Sequence, residues 1–171
     1  GRFPVSNVED AEAMVDKVED YAIINNENVG SWRKVLTFMA DDDDAYFLEN
    51  CEDMIEIIKE NGGDDVEFDK VYLDAYTQVA SSSGQRSPEC NEAIMNRMER
   101  GTLLVNYVGH AGEIGWAAER IFTNENIFAL RNAPKYHLML TASCEFARYD
   151  DHTRTSAGEY MFLNHNGGAI A

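Results

Sequence analysis

The chain has 171 residues, 44% of them hydrophobic and 26% charged, enough for one domain whose core buries about 70% of the unfolded surface. A formal net charge of −17 argues against a nucleic-acid partner, because a phosphate backbone needs a basic face, and against adhesion to an anionic membrane. No apolar run reaches the ~20 residues that span a bilayer, and the opening GRFPVSNVED lacks the basic and apolar regions of a signal peptide.

Ser6 and Glu9 form a capping box ahead of an amphipathic helix to about residue 26, with Val8, Val15, Val18 and Ala22 on one face. KVLTFMA is a short apolar strand that ends in the run Asp41 to Asp44. A second helix begins near Ala45, carries Leu48, Cys51, Ile55 and Ile58 at helical spacing, and stops at Gly62 and Gly63. VEFDKVYLDAY holds another strand, and QVASSSGQRS reads as a flexible loop. Ser87 caps a helix with Pro88 at its first position, Ala93, Ile94 and Met98 facing inward, and Gly101 at its end. TLLVNYVG is a strand, NENIFALRN a short helix and YHLMLTAS a strand. Ser156 and Glu159 cap the last helix, and GGAIA begins a last strand.

Strand–helix–strand units in this order predict an α/β fold, a mostly parallel sheet with helices on both faces. Residues 1–171 contain no repeat, low-complexity segment or domain boundary. The chain opens on GRFPV and stops on what reads as the start of a buried strand, so the expectation is a fragment of a larger multidomain protein.

Two strand ends carry the chemistry. In an open α/β sheet, functional groups gather beyond the carboxyl ends of the strands. His110 follows LLVNYV and Cys144 follows YHLMLTA, with one short helix between them. That is one crossover, so the two strands should be parallel and close, with both side chains at the same sheet edge. A thiolate is the reactive form of cysteine, and a nearby imidazole takes its proton and later protonates a leaving amine. The backbone N–H groups of Ala111, Gly112 and Cys144 could face a developing oxyanion.

Other groups carry weaker signals. A cysteine–histidine pair is also half of a metal site, with His152 as a third ligand. No CxxC or HExxH spacing supports one, so neither metal nor cofactor is expected. Cys51 reads as core and Cys90, in a first helical turn, as incidental; the odd total of three cysteines leaves at least one thiol unpaired. The run Asp41 to Asp44 suits either a calcium ion or a solvated turn. Glu113 either orients substrate or caps the turn. His137, within a strand pattern, and His165, on a helix, read as structural.

Several segments, in order, carry a resemblance: GRFPV, WRKVLTFMADDDD, FDKVYLDAY, NYVGHAGEIGWAAERIF, LTASCEFARYDD, TSAGE and NGGAIA. Together they resemble the gingipain family of cysteine peptidases, which has a caspase-like α/β fold, and within it the branch that serves the type IX secretion system as a sortase. The resemblance implies His110 as general acid/base, Cys144 as nucleophile and an oxyanion hole of backbone N–H groups beside each. The family's usual residue after the histidine is glycine; here it is Ala111. Trp116 matches a tryptophan near the substrate cleft, and Asp41 falls near an acidic residue that supports the histidine. The implied substrates are secreted proteins with a C-terminal signal, cleaved through a thioester. A lipopolysaccharide amine or water is the implied acceptor, other secretion-complex subunits are the implied partners, and the Gram-negative outer-membrane surface is the implied location. A purely hydrolytic endopeptidase and an inactive docking domain are the competing readings.

Overall fold

A computed structural model describes residues 3–24 and 28–171. Its centre is a four-stranded parallel sheet of β1 (Val35–Ala40), β2 (Glu67–Tyr72), β5 (Leu104–Val108) and β9 (Leu138–Ala142), in the order β2-β1-β5-β9. The GGAIA segment extends it beyond β9. Ala169 bridges His137 in parallel, and the Ile170 N–H donates to the His137 carbonyl at 2.9 Å. β1 is buried at every position. A central parallel strand covered on both faces has no solvent-facing polar side, which is why β1 is apolar apart from Thr37, whose buried hydroxyl hydrogen-bonds that of Thr102 at 2.9 Å.

Helices α2 (Ala45–Glu60) and α3 (Pro88–Arg100) cover opposite faces. Cys51 and Ile55 of α2 pack on Leu36, Phe38, Ala40 and Val108. Cys90, Ile94 and Met98 of α3 join Met39, Val71, Val105 and Tyr107, together with Ile127 of α4 (Asn124–Ala129) and Met161 of α5 (Ala157–Leu163). Each large apolar side chain so buried contributes about 1.5–3 kcal/mol. The α2 side of β9 is open, with Leu138 39% and Leu140 49% exposed. Local signals set several ends as expected. Gly62, at φ 99°, follows α2, and Gly101, at φ 93°, ends α3. Ser156 and Glu159 form the capping box of α5.

Three expectations need correction. Helix α1 runs Val8–Ala22, and its N-cap is Asn7, whose side chain accepts from the Asp10 N–H at 2.8 Å; Ser6 and Glu9 make no such box. Residues 25–26 of the expected helix lie outside the described residues. The face of α1 is also inverted: Val8, Val15, Val18 and Ala22 are exposed, while Met14 and Lys17 are buried. Lys17 can be buried because its ammonium donates to the carbonyls of Phe162 at 2.7 Å, Gly167 at 2.8 Å and Ala169 at 3.3 Å. Finally, QVASSSGQRS is a hairpin of β3 (Val79–Ser81) and β4 (Gly84–Arg86), closed where Ser81 pairs with Gly84, at φ 106°. A glycine at that corner takes a backbone angle that other residues resist.

A small antiparallel sheet was not visible in the sequence. β6 (Ala111–Gly112), β7 (Gly115–Trp116) and β8 (Phe122–Thr123) follow β5 and shape the loop that carries His110.

Candidate active site

β5 and β9 are hydrogen-bonded parallel neighbours, with Val108 opposite Ala142, and the Gly109 N–H donates to the Ala142 carbonyl at 3.3 Å. His110 and Cys144 therefore each stand two residues beyond a paired position, at the same end of strands ~4.8 Å apart. Both are exposed, and the Cys144 thiol is free. Cys51 and Cys90 are fully buried, and burial pushes each thiol up to about 12.

The backbone of His110 is held from two sides. Its N–H donates to Asp41 Oδ2 at 2.9 Å, and its carbonyl accepts from the Tyr107 hydroxyl at 2.6 Å. Asp41 thus supports the histidine through its backbone. Its carboxyl is almost fully buried, and desolvation raises its pKa against the backbone N–H groups of His110 and Asp42, which lower it. The carboxylate nearest the imidazole belongs to Asp43, with Oδ2 4.0 Å from Nε2, and the ring of Phe47 stands edge-on at 5.4 Å. Neither Asp43, Phe47 nor Tyr107 was singled out from the sequence. The aspartate run was, but only the turn into α2 decides which carboxylate faces the ring.

Beyond His110 the chain enters β6. The Ala117 N–H donates to the His110 carbonyl at 2.9 Å, so Ala111 and Trp116 form the non-hydrogen-bonded pair of the hairpin. In that register the Ala111 N–H points away from β7. The Gly112 N–H turns inward to Gly115, which removes Gly112 from the expected oxyanion donors.

Trp116 also departs from expectation. It has no exposed surface, stacks on Tyr107 at a ring distance of 4.3 Å and packs against Phe122 and Phe146. Its indole forms the apolar floor beneath the histidine loop and is not placed to touch a substrate. Glu113, at the tip of the β6–β7 turn, binds the segment that follows Cys144. Its carboxylate accepts from Arg148 at 3.0 Å and Arg154 at 3.2 Å, and its carbonyl accepts from the Ala157 N–H at 2.8 Å. The histidine loop and the cysteine loop are clasped together there, so the carboxylate is committed to positioning. Glu145, directly after Cys144, sits at φ 54°, an uncommon conformation for a side-chain-bearing residue that turns the chain sharply at the thiol.

A cleft of about 650 Å³ opens beside the β6–β7 hairpin, lined by Arg86, Pro88, Ile114, Ala118 and Arg120 among others. Neither His110 nor Cys144 lines it. His152 and Cys144 share no cluster of metal-ligating atoms among the described residues. No helix among them is long and apolar enough to cross a membrane.

A parallel α/β domain with a cysteine and a histidine at the carboxyl ends of adjacent strands is the framework of a caspase-like cysteine peptidase. The family model for peptidase family C25 matches residues 1–171, and the chain belongs to that family, the gingipains. Among solved structures it is similar to the Arg-specific cysteine proteinase gingipain R (RgpB), with a TM-score of 0.75 and 17% identity over 99% of this chain and 38% of that one. The complex of Porphyromonas gingivalis RgpB pro- and mature domains gives a TM-score of 0.75 and 16% identity over 99% of this chain and 38% of that one. A structure described only as a protease gives a TM-score of 0.70 and 20% identity, covering 97% of this chain and 34% of the other. No curated protein sequence matches the chain. The chain thus spans under two-fifths of the length of these solved relatives.

Proposed function

We propose that the chain is the catalytic part of a cysteine endopeptidase of the sortase kind, with Cys144 as nucleophile and His110 as general acid/base. The observation that carries the reading is the register of β5 and β9, which sets both residues equally far beyond adjacent strand ends. His110 takes the thiol proton, and the thiolate attacks the scissile carbonyl carbon. Negative charge gathers on the carbonyl oxygen, facing the Ala111 and Cys144 N–H groups. The C–N bond then breaks, the imidazolium passes its proton to the leaving amine, and an acyl thioester stays on Cys144. A primary amine, or water, attacks the thioester, gives its proton to His110 and restores the thiol. Asp43 Oδ2, 4.0 Å from Nε2, stands beside the ring on which the proton rests in between.

Resemblance to PorU, the sortase of the type IX secretion system, supports the finer reading. The substrates are secreted proteins carrying a C-terminal signal. The acceptor is an amine of surface lipopolysaccharide, other secretion-complex subunits are the partners, and the site of action is the outer surface of a Gram-negative bacterium.

The test uses the full chain, a peptide spanning a signal junction and a labelled primary amine, with both products followed by mass. Cys144→Ala abolishes turnover, and His110→Ala slows acylation ~10²–10⁴-fold. Amine adduct in excess of hydrolysis at millimolar amine supports the sortase, since a cleft that positions the amine raises its effective concentration. Hydrolysis insensitive to amine makes the protein a plain endopeptidase. A complete lack of Cys144-dependent product overturns the enzymatic reading and leaves a docking domain.

A further inference from the structure

The His110 side chain is 63% exposed, and among the described residues neither ring nitrogen makes a hydrogen bond. Asp41 and Tyr107 hold only the backbone N–H and carbonyl. Asp43 Oδ2, 4.0 Å from Nε2, is beyond hydrogen-bond reach and its side chain is itself 54% exposed. A fixed backbone still leaves a histidine several staggered χ1 wells and a broad χ2. What closes on the ring itself is Phe47, at a centroid distance of 5.4 Å and an interplanar angle of 88°. That is the edge-to-face arrangement aromatic pairs prefer. Phe47 is half-buried in the first turn of α2, where its N–H donates to the Asp44 carbonyl at 3.0 Å and Asp44 caps the helix through the Tyr46 N–H. It packs against the core that α2 shares with β1 and Val108, and Val108 lies two residues before His110. The phenyl ring is thus anchored in the core while it meets the imidazole.

We propose that Phe47 is a positioning residue whose ring selects the rotamer of the His110 side chain and so keeps the imidazole in place for proton transfer with Cys144. The inference rests on the reading of His110 as general acid/base. A general base must come within ~2.6–3.2 Å of the proton it takes, so an imidazole that swings among wells is competent only part of the time. An aromatic partner suits the task chemically. A carboxylate or hydroxyl bonded to the ring would occupy one nitrogen, whereas Phe47 occupies neither and leaves both free to carry the proton. The contact is also short-ranged and insensitive to salt, unlike the attraction of an exposed carboxylate such as Asp43. Phe47 acts through His110 and needs no contact with substrate.

The test begins on the full chain without substrate. Three-bond NMR couplings from the backbone nitrogen and carbonyl carbon of His110 to its Cγ should report one dominant χ1 well in the wild type. Phe47→Leu keeps apolar bulk on the core but offers no aromatic face, and it should spread His110 over several wells. Phe47→Met serves where Phe47→Leu fails to fold, and Phe47→Tyr should restore the single well. Molar salt, which screens Asp43, should leave the wild-type couplings unmoved. With a peptide spanning a signal junction, Phe47→Leu should lower Cys144-dependent kcat by roughly 2–10-fold, the size of one edge-to-face contact, at unchanged KM, and Phe47→Tyr should recover it. Rotamer averaging in the wild type, a single well kept by the folded Phe47→Leu or Phe47→Met variant, or a well lost at molar salt overturns the inference. A single well that depends on Phe47 in a chain without turnover upholds the positioning and counts against the peptidase reading alone.

Discussion

Gly109→Ala probes why a glycine precedes His110. A Cβ on Gly109 would stand 2.7 Å from the Tyr107 hydroxyl oxygen and closer still to Cβ of Asp41. Carbon contacts relax at about 3.5–4.0 Å, so the Asp41 side chain must retreat by about 1 Å. The two crowded groups are the ones that hold His110, Asp41 on its N–H at 2.9 Å and Tyr107 on its carbonyl at 2.6 Å. Overpacking of this kind costs about 1–3 kcal/mol. Leaving the buried partners of His110 unsatisfied adds about 1–3 kcal/mol more. At about 2–4 °C per kcal/mol for a domain of this size, Tm should fall by about 10 °C. A shift of about 1 Å in the histidine loop should also cost roughly 10²-fold in Cys144-dependent turnover. The matched control is Gly112→Ala in the same loop, where an added Cβ meets no atom within 4 Å. That variant should keep its Tm within about 2 °C, as a surface substitution of about ±0.5 kcal/mol does. Scanning calorimetry and peptide turnover on the two variants read the difference, and equal Tm values would refute the reasoning.

The three cysteines should separate by reactivity. With burial holding the Cys51 and Cys90 thiols at about 12, only about one in ten thousand of either is thiolate at pH 8. Iodoacetamide on the native chain should therefore modify Cys144 first, and peptide mapping that finds Cys51 or Cys90 equally labelled would contradict the fold. His137 should weaken the fold in acid. It is fully buried with both ring nitrogens unpartnered, and burial, with a smaller contribution from Lys17, lowers its pKa to about 3. Between pH 6.5 and 3 the unfolded chain therefore binds the extra proton and stability falls as pH falls, by ~2.3 kcal/mol from pH 6.5 to 4.5. His137→Leu should lose that part of the acid sensitivity in unfolding experiments; an unchanged pH slope would mean that the buried imidazole does not act as described.

Local chemistry made most of the fold legible in the sequence. KVLTFMA reads as a doubly covered strand because every position of β1 is buried. Gly62 and Gly101 mark helix ends because their positive φ suits a residue without Cβ. Ser156 and Glu159 satisfy the first turn of α5 within a few residues. The alternation of strand and helix put His110 and Cys144 after adjacent parallel strands, since one crossover leaves little freedom. Contacts between distant segments decided the rest. The face of α1 that packs inward follows from carbonyls near the far end of the chain that bind Lys17, which hydropathy counts as outward-facing. Trp116 belongs to the floor of the site because Tyr107, Phe122 and Phe146 close around it. Glu113 is a clasp because Arg148 and Arg154 return to it from beyond Cys144. The run Asp41 to Asp44 announces acidity but not its division of labour. Asp41 holds the backbone of His110, Asp43 faces its ring, and Asp42 meets Glu119 only because the β7–β8 connection folds back onto the end of β1. Propensity and periodicity act over a few residues, whereas a site is assembled from side chains whose meeting depends on the path of the whole chain.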